Sequence, residues 1–353
     1  MKVILPHFIE KINDSVRNRR PFVIYKKPEK PYVNGLFQKD QKLHEFTNKS
    51  EKGFVFSPFN KKKTTIIIPV NASDQLATSW DLNKIPETST KDSVQDLGEI
   101  KEYTNLVSNA IDHINNAETK KIVTSRKELI KINEFNLIDC FGKMLHHYPN
   151  AFNYCWFHPA TDVWMGATPE KLFSLKKNTL NTVSLAGTKQ YQGSCEVAWD
   201  EKELEEQKLV TDFIINALHP FSNEIQAESP YSSRAGNLLH LRTEISCKIN
   251  PKTSIFQLID AIHPTPAVCG FPRENAIEFL QQNEQYNRAY YSGYLGEYDS
   301  ENATDLYVNL RCMKYVNNTV SIYVGGGITN KSNPKSEWEE TVLKSYTMKR
   351  VII

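Results

Sequence analysis

The stretch Asp305-Leu306-Tyr307-Val308-Asn309-Leu310-Arg311-Cys312-Met313 decides the class of fold. Its even-numbered residues are apolar and most of its odd-numbered residues are polar, which is the pattern of a β-strand with one buried face. Parallel strands are usually buried on both faces and lack this alternation, so the stretch indicates an antiparallel sheet. The pattern predicts one strand over 304–315 and another over 319–324.

Outward from this pair, the same patterns predict helices and strands along the whole chain. Helices are expected near the start, before residue 121, and at 135–147, 199–218, 254–262, 273–285 and 334–350. Strands are expected at 22–25, 53–56, 64–68, 121–126, 151–157, 163–166, 180–186, 239–248 and 290–297. Residues 81–97 are polar and are interpreted as a surface connection.

The predicted fold class is α+β: a single large domain of mostly antiparallel sheet flanked by helices. Residues 1–97 would form a strand-rich N-terminal part of this domain. Residues 98–353 would form its catalytic region. No heptad repeat is present, and we expect a monomer.

The charge balance excludes several kinds of partner. The 353 residues include 43 Lys and Arg against 41 Asp and Glu, a formal net charge of +2. A balance this even gives no electrostatic case for binding nucleic acid or an anionic membrane. No apolar run approaches the ~18 residues of a membrane-spanning helix. We expect a cytoplasmic protein that binds a small molecule.

The six cysteines and nine histidines give no sign of a disulfide framework or a zinc site. The cysteines are scattered and form no CxxC pair, and the histidines form no HExxH motif. We expect reduced thiols.

Glycine is concentrated at the ends of predicted strands. Eight of the 14 glycines fall in five short segments: Gly166, Gly187, Gly270, Gly293 with Gly296, and the triplet 325–327. Backbone amides without side chains can approach an anionic ligand closely, although a tight turn alone would also use glycine. The spacing is neither GxGxxG nor a Walker loop, so neither a dinucleotide nor a nucleoside triphosphate is indicated.

One acid lies on the apolar face of the predicted helix at 199–218. Glu206 precedes Leu209, Val210 and Phe213 by three, four and seven residues, so it extends the buried face, whereas Glu205 points elsewhere. A buried acid needs a partner, a proton or a metal. The alternative is an N-terminal acid favoured by the helix dipole.

The C-terminal helix has a clear start and a second notable acid. Asn333 is a good N-cap and Pro334 suits the first turn. Glu340 and Lys344 are four residues apart, so they share one face and could form a simple surface ion pair. Together with Glu206, Glu340 would also suit Mg²⁺, which typically binds one or two carboxylates, waters and a substrate oxygen.

Nine short motifs resemble, in order and spacing, those of the chorismate-binding enzymes. They are VWMGATPE at 163–170, SLAGT at 184–188, KELEE at 202–206, HLRT at 240–243, HPTPAV at 263–268, YSG at 291–293, LRC at 310–312, GGGI at 325–328 and EWEET at 337–341. The resemblance covers about residues 100–353, and the first hundred residues carry no motif of this class. Within the family, the sequence is most similar to the isochorismate synthases.

This resemblance implies a Mg²⁺-dependent isomerase in which water adds at ring C2 of chorismate as the C4 hydroxyl leaves. Such a reaction needs a base and an acid on opposite sides of the ring. The resemblance assigns the base to Lys121 and the acid to Glu170. A lysine at its ordinary pKa of about 10.4 would be protonated, so its surroundings must lower that pKa. Without the resemblance, Lys121 would be interpreted as a solubilising residue at a strand edge.

The resemblance also implies the ligands of the metal and of the substrate. Glu206 and Glu340 would bind Mg²⁺. The implied substrate-binding residues are Gly187, Thr188, His240, Tyr291, Arg311, Gly325 and Lys344. The first two would offer amides beside the ring carboxylate, and the last four would meet the enolpyruvyl carboxylate. His240 could equally be a buried structural residue, and His263 is interpreted as structural, holding the proline turn that follows it.

Three other activities within the family are alternatives. The anthranilate and aminodeoxychorismate synthases use ammonia, need no base and usually carry an Arg-Asn-Asp triplet, which 210–216 lacks. Salicylate synthases make isochorismate and then eliminate pyruvate, and they typically have threonine where this chain has Ala267. An inactive chorismate-binding regulator would be expected to have lost a catalytic acid or a metal ligand. Whether the product would serve menaquinone or siderophore synthesis is not indicated by these residues.

Overall fold

The computed structural model describes residues 1–50, 52–80, 97–222, 224–235, 238–301 and 303–352. The helices of these residues are α1 (Leu5–Arg17), α2 (Leu97–Asn116), α3 (Leu137–His147), α4 (Glu201–Leu218), α5 (Ile255–Ile262), α6 (Arg273–Asn283) and α7 (Pro334–Ile352). The first strands are β1 (Phe22–Lys26), β2 (Tyr32–Gln38), β3 (Lys52–Ser57), β4 (Ile66–Pro69), β5 (Ser73–Ser79), β6 (Lys121–Lys131), β7 (Phe152–His158), β8 (Asp162–Thr168) and β9 (Lys171–Lys176). The others are β10 (Thr179–Gln190), β11 (Ile225–Ala227), β12 (Tyr231–Ala235), β13 (Leu238–Lys248), β14 (Gly270–Phe271), β15 (Tyr294–Asp299), β16 (Ala303–Val308), β17 (Cys312–Val316) and β18 (Thr319–Ile328). Most of the connection predicted over 81–97, residues 81–96, lies outside the described residues.

The strands form two large sheets. The first has the order β14-β6-β18-β17-β8-β7-β1-β2-β5, and the second has the order β11-β13-β10-β9-β16-β15-β3-β4, with β12 also paired to β13. Neighbouring strands such as β6 and β18, or β10 and β13, run antiparallel. With helices packed against these sheets, the predicted α+β class with mostly antiparallel sheet is confirmed.

The strand predicted over 304–315 is wrong in one respect, because it is two strands in different sheets. β16 pairs with β9 and β15 in the second sheet, whereas β17 pairs with β8 and β18 in the first. Residues 309–311 carry the chain across, with Arg311 at a φ of 47°. Asn309 fixes the crossover through bonds to Tyr154 and Tyr290, which are remote in sequence. The alternation of apolar and polar residues is a local signal, so it does not reveal a turn that separates two strands.

The strand predicted over 290–297 also begins later than expected. β15 starts at Tyr294, because Ala289 and Ser292 take φ values of 50° and 61° that a strand does not accommodate. Tyr291 and Ser292 therefore lie in a turn before the strand rather than within it.

Packing between the sheets is largely aromatic. Phe54 and Phe56 of the second sheet meet Trp156 and Trp164 of the first, and all four are fully buried. The outer face of the first sheet is covered by α1, α3 and α7, and that of the second by α4 and α5. No helix of the described residues is long and apolar enough to cross a lipid bilayer.

Candidate active site

A cleft lies where β6, β10 and β18 meet the N-terminal halves of α4 and α7. Its atom-free volume, which includes open solvent at its mouth, is about 1020 Å³. Nine of the eleven predicted site residues line it: Glu170, Gly187, Glu206, His240, Tyr291, Arg311, Gly325, Glu340 and Lys344. Lys121 does not line the cleft but bonds to Glu206, which does. The side chain of Thr188 is outside the described part of the chain.

The glycine triplet forms the floor between the two acidic helices. It lies inside β18, with Gly325 opposite Ser125 and Gly327 opposite Val123 of β6, so the alternative of a simple tight turn is wrong. A Cβ at Gly327 would stand 3.0 Å from Glu206 Oε1, and one at Gly326 would stand 3.1 Å from Glu337 Oε2. Both distances are shorter than an ordinary van der Waals contact. Glycine leaves room here for the carboxylates to approach the backbone.

A second glycine marks the opposite wall. Gly187 has a φ of +70° and lies in an irregularity of the β10–β13 pairing between Ala186 and Lys189. A Cβ there would come within 3.2 Å of the side chain of Glu203 on α4. Such a bulge turns backbone groups away from the ladder and towards a ligand.

The helix periodicity identified the correct face of α4. The side chain of Glu206 is 16% exposed, whereas that of Glu205 is 63% exposed. Glu206 Oε1 lies 2.5 Å from the ammonium nitrogen of Lys121, which is 2% exposed. The acid is therefore a partner of a buried lysine, and the interpretation as a mere N-terminal acid is wrong.

The C-terminal helix begins as predicted and aims its first turns into the cleft. The side chain of Asn333 accepts bonds from the amides of Lys335 and Ser336, each at 3.1 Å. Glu340 Oε1 is 2.5 Å from Lys344 Nζ, and that ammonium also donates to the carbonyl of Gly325 at 2.9 Å. The ion pair expected from the spacing is confirmed, and it faces the cleft rather than open surface.

Two further acids join this wall that the sequence reasoning missed as site residues. Glu203 lines the cleft, and its buried Oε2 has no hydrogen-bond partner among the described residues. Glu337 is buried beside Gly326. Each lies three residues before an acid that was identified, Glu206 or Glu340, and so shares its helix face. That spacing is the signal that could have found them.

These carboxylates fit an oxygen-ligand cation. Acids from two helices converge on one strand of bare backbone, and one buried carboxylate oxygen lacks a donor. No group of three or more His, Cys, Asp or Glu among the described residues is arranged as a metal cluster. Mg²⁺ needs only one or two protein carboxylates, with waters or a ligand completing its shell. The donor set therefore suits Mg²⁺ better than a metal that requires a full protein cage.

Glu170 has the properties of a proton donor. It is buried at the end of the β8–β9 turn, where its carbonyl accepts from the amide of Val308 at 2.9 Å. Burial raises the pKa of Glu170 to about 7, although the positive charges of Lys121 and Lys344 oppose the rise. A carboxyl group with this pKa is substantially protonated at neutral pH, as a general acid requires.

The cleft also has a cationic end, formed by Arg311 and by Lys344, which is on α7 itself and pairs with Glu340. Arg311 lines the cleft from the crossover between the sheets, and it also donates to Thr347 Oγ1 at 3.3 Å. The hydroxyl of Tyr291 would stand 3.0 Å from a Cβ at Gly325, so both residues border the same space. An arginine fork with a phenol and an ammonium nearby suits a carboxylate.

The two predicted histidines have different surroundings. His240 lines the cleft and its Nδ1 is 2.8 Å from the carbonyl of Gly187, so the pocket-lining and structural interpretations both apply. Burial lowers the pKa of His240 to about 4, which keeps the ring neutral. His263 lies away from the cleft lining, fully buried and edge-on to Tyr294 at 5.2 Å. It is held by packing, as neither ring nitrogen has a hydrogen-bond partner among the described residues.

Comparison with known proteins agrees with this geometry. Isochorismate synthase EntC of Escherichia coli is 30% identical over 264 residues, which cover 70% of this chain and 66% of that protein. The salicylate biosynthesis isochorismate synthase of Pseudomonas aeruginosa is 27% identical over 264 residues, covering 72% of this chain and 55% of that protein. The match thus spans less than two thirds of the length of either relative.

Solved structures share the fold over nearly the whole chain. The menaquinone-specific isochorismate synthase MenF of Escherichia coli superposes with a TM-score of 0.80 at 19% identity, covering 94% of this chain and 89% of that one. The sequence model described as "Chorismate binding enzyme" matches residues 48–353, so the likeness begins well before residue 100, the start expected from the sequence motifs. The chain belongs to the family of chorismate binding enzymes.

Proposed function

We propose that this protein is an isochorismate synthase, an isomerase that converts chorismate to isochorismate with Mg²⁺. The observation that carries the proposal is a buried carboxyl group with a pKa of about 7, Glu170, which lines the cleft, together with a buried lysine, Lys121, which bonds to the cleft residue Glu206. An exchange of hydroxyl position needs one group that gives a proton and one that takes a proton. The relatives named as isochorismate synthases support the same activity.

In the proposed reaction, neutral Lys121 takes a proton from the water that adds at ring C2. Protonated Glu170 gives its proton to the C4 hydroxyl, which leaves as water. Both double bonds of the ring shift as the C2–O bond forms and the C4–O bond breaks, and one water is consumed and one released. In the structure, Lys121 Nζ lies 2.5 Å from Glu206 Oε1. In the proposed reaction this contact breaks before Lys121 takes the proton.

Glu206 and Glu340 would hold Mg²⁺, with Glu203 and Glu337 close enough to support its waters. The ion would neutralise the ring carboxylate of chorismate and so fix the position of the ring. The backbone of Gly187 and Thr188 would border that carboxylate. These roles rest on the convergence of the two acidic helices on the glycine triplet.

The enolpyruvyl carboxylate would bind at the cationic end of the cleft. Arg311 and Lys344 supply positive charge there, and Tyr291 and the Gly325 amide supply further donors. His240 would lie beside this group as a neutral ring, because its pKa is about 4. The two carboxylates of the substrate would thus be held by separate groups, with the ring within reach of Lys121 and Glu170.

The proposal is tested by incubating the purified protein with chorismate, with and without Mg²⁺, and separating the products by chromatography. We expect isochorismate to accumulate only when Mg²⁺ is present, with little salicylate or pyruvate. Stoichiometric pyruvate release would indicate a salicylate synthase instead. An aminated product that forms only with ammonium salts would indicate an anthranilate or aminodeoxychorismate synthase.

A further inference from the structure

Glu284 and Arg288 form a buried ion pair behind the wall of the cleft. Arg288 Nη2 lies 2.5 Å from Glu284 Oε1 and Arg288 Nε lies 2.7 Å from Oε2, and the two side chains are only 3–4% exposed. Neither side chain is among those that line the cleft. A buried ion pair is often no more stable than well-packed apolar residues of similar volume. Stability alone is therefore a weak explanation for this pair.

The pair ties the strand of Lys121 to a second wall of the cleft. Arg288 donates to the carbonyl of Val123 on β6 at 2.6 Å and to the carbonyl of Val268 at 2.9 Å. Both valines line the cleft, and Val123 is two residues from Lys121. Glu284 Oε1 accepts from the amide of Ser125 at 2.9 Å and from its hydroxyl at 2.7 Å. One ion pair thus holds two separate segments of backbone.

The arginine of this pair also belongs to the turn that carries Tyr291. The amide of Tyr291 donates to the carbonyl of Arg288 at 2.9 Å, and the guanidinium lies 5.9 Å from the centre of the tyrosine ring. On its other side the guanidinium packs on the ring of Phe59 at 4.7 Å. Three cleft segments, those of Val123, Val268 and Tyr291, therefore share one anchor.

We propose that the Glu284–Arg288 pair is a positioning device for the reaction, setting the places of Lys121, the wall at 267–268 and Tyr291 relative to one another. This inference rests on the proposed function, because it assigns the pair to the same cleft. Arginine suits the role because its planar fork can serve a carboxylate and two carbonyls at once, whereas a lysine ammonium is a single point. Neither residue touches the substrate.

The test uses the double variant Glu284→Met/Arg288→Met, which leaves no unpaired buried charge and so is expected to fold. A small displacement of reacting groups lowers rates by about 10²-fold, so we expect kcat/KM for chorismate to fall by about that factor, with a raised KM as Tyr291 moves. The milder Arg288→Lys should fold with the charge retained and lose about tenfold. A smaller loss of activity in Arg288→Lys than in the double variant would indicate a positioning role rather than packing alone.

A control is the largely buried pair of Glu128 and Lys349, which is 2.6 Å apart and also anchored on β6. Arg126, which also pairs with Glu128 at 3.3 Å, keeps Glu99 at 3.8 Å as a partner in the control variant. The double variant Glu128→Met/Lys349→Met should retain kcat and KM within about threefold, because this pair is not part of the cleft lining. Amide hydrogen exchange supplies a readout that needs no substrate. The Ser125 amide loses its acceptor only in the Glu284 variant, so its exchange should accelerate there and not in the control.

The outcomes separate this inference from the proposed function. If wild-type protein does not convert chorismate, the proposed function fails, and unchanged exchange at Ser125 would then overturn the inference independently. If wild-type protein is active, a folded Glu284→Met/Arg288→Met variant with kcat and KM within about threefold of wild type would overturn the inference alone. Should that variant not fold, Arg288→Lys decides: near-wild-type kinetics contradict the positioning role.

Discussion

Glu170 and Glu206 face the same cleft but have opposite surroundings. Glu170 lies in a turn between two strands, and burial raises its pKa to about 7. Glu206 lies on a helix face, 2.5 Å from the ammonium of Lys121 and beside other acids. The first environment favours a carboxyl group that keeps its proton. The second places the acid in direct contact with a cation. Under the proposed function, this contrast assigns the role of acid to Glu170 and the role of metal ligand to Glu206.

The largest effect should come from the cation-binding wall. Glu206→Ala or Glu340→Ala removes one of the two carboxylates assigned to Mg²⁺, so we expect turnover of chorismate to fall below detection, by at least about 10³-fold. Glu205→Ala is the matched control, since that neighbouring side chain is 63% exposed, and it should be nearly as active as wild type. Near-wild-type turnover of either cleft variant at low Mg²⁺ would refute the metal assignment.

The second-largest effect should come from the two groups assigned to proton transfer. Lys121→Ala and Glu170→Ala should each lower kcat by roughly 10²–10⁴, the range for a positioned base or acid. Binding of chorismate should change far less, because neither group is assigned to a carboxylate. Lys120→Ala provides the control, as Lys120 is exposed beside Lys121. A Lys121 variant that loses only affinity would make the lysine a binding residue.

The raised pKa of Glu170 also has a consequence for stability. In the folded protein its pKa is about 7, above the ordinary value of 4.5, so its contribution to stability is fully present below about pH 4.5 and declines as the pH rises through 7. A difference of about 2.5 units corresponds to at most about 3 kcal/mol. Glu170→Gln should therefore gain stability relative to wild type between pH 4 and pH 8. Denaturant unfolding at both pH values measures this, and a constant difference would contradict the buried-acid interpretation.

The smallest effect concerns where the reaction stops. Ala267 lines the cleft, and salicylate synthases typically have threonine at this position. A hydroxyl could contact the enolpyruvyl group and stabilise a second transition state, the loss of pyruvate. Ala267→Thr should therefore release a minor amount of pyruvate, on the order of a few per cent of turnover, detected with lactate dehydrogenase. Pyruvate release by the wild type equal to chorismate consumption would contradict the account.

Local sequence patterns predicted much of this fold. For the two glutamates, they predicted the buried position of Glu206 but not the surroundings of Glu170. The periodicity of α4 placed Glu206 on the buried face, and Asn333 and Pro334 marked the start of α7. The crossover at 309–311 was not predicted, because its fixing bonds come from Tyr154 and Tyr290. The bond from Ser125 to Glu284 joins residues 159 apart, which no local pattern encodes. The raised pKa of Glu170 likewise depends on burial by distant segments.

The most direct test of the central claim is the reaction in water enriched in ¹⁸O. If water adds at C2 as the C4 hydroxyl leaves, each molecule of isochorismate must carry one solvent oxygen, a mass increase of two units over chorismate. The account predicts this label in product separated by chromatography, and its loss in Lys121→Ala together with activity. Isochorismate without solvent oxygen, or no conversion of chorismate by wild-type protein with Mg²⁺, would contradict it.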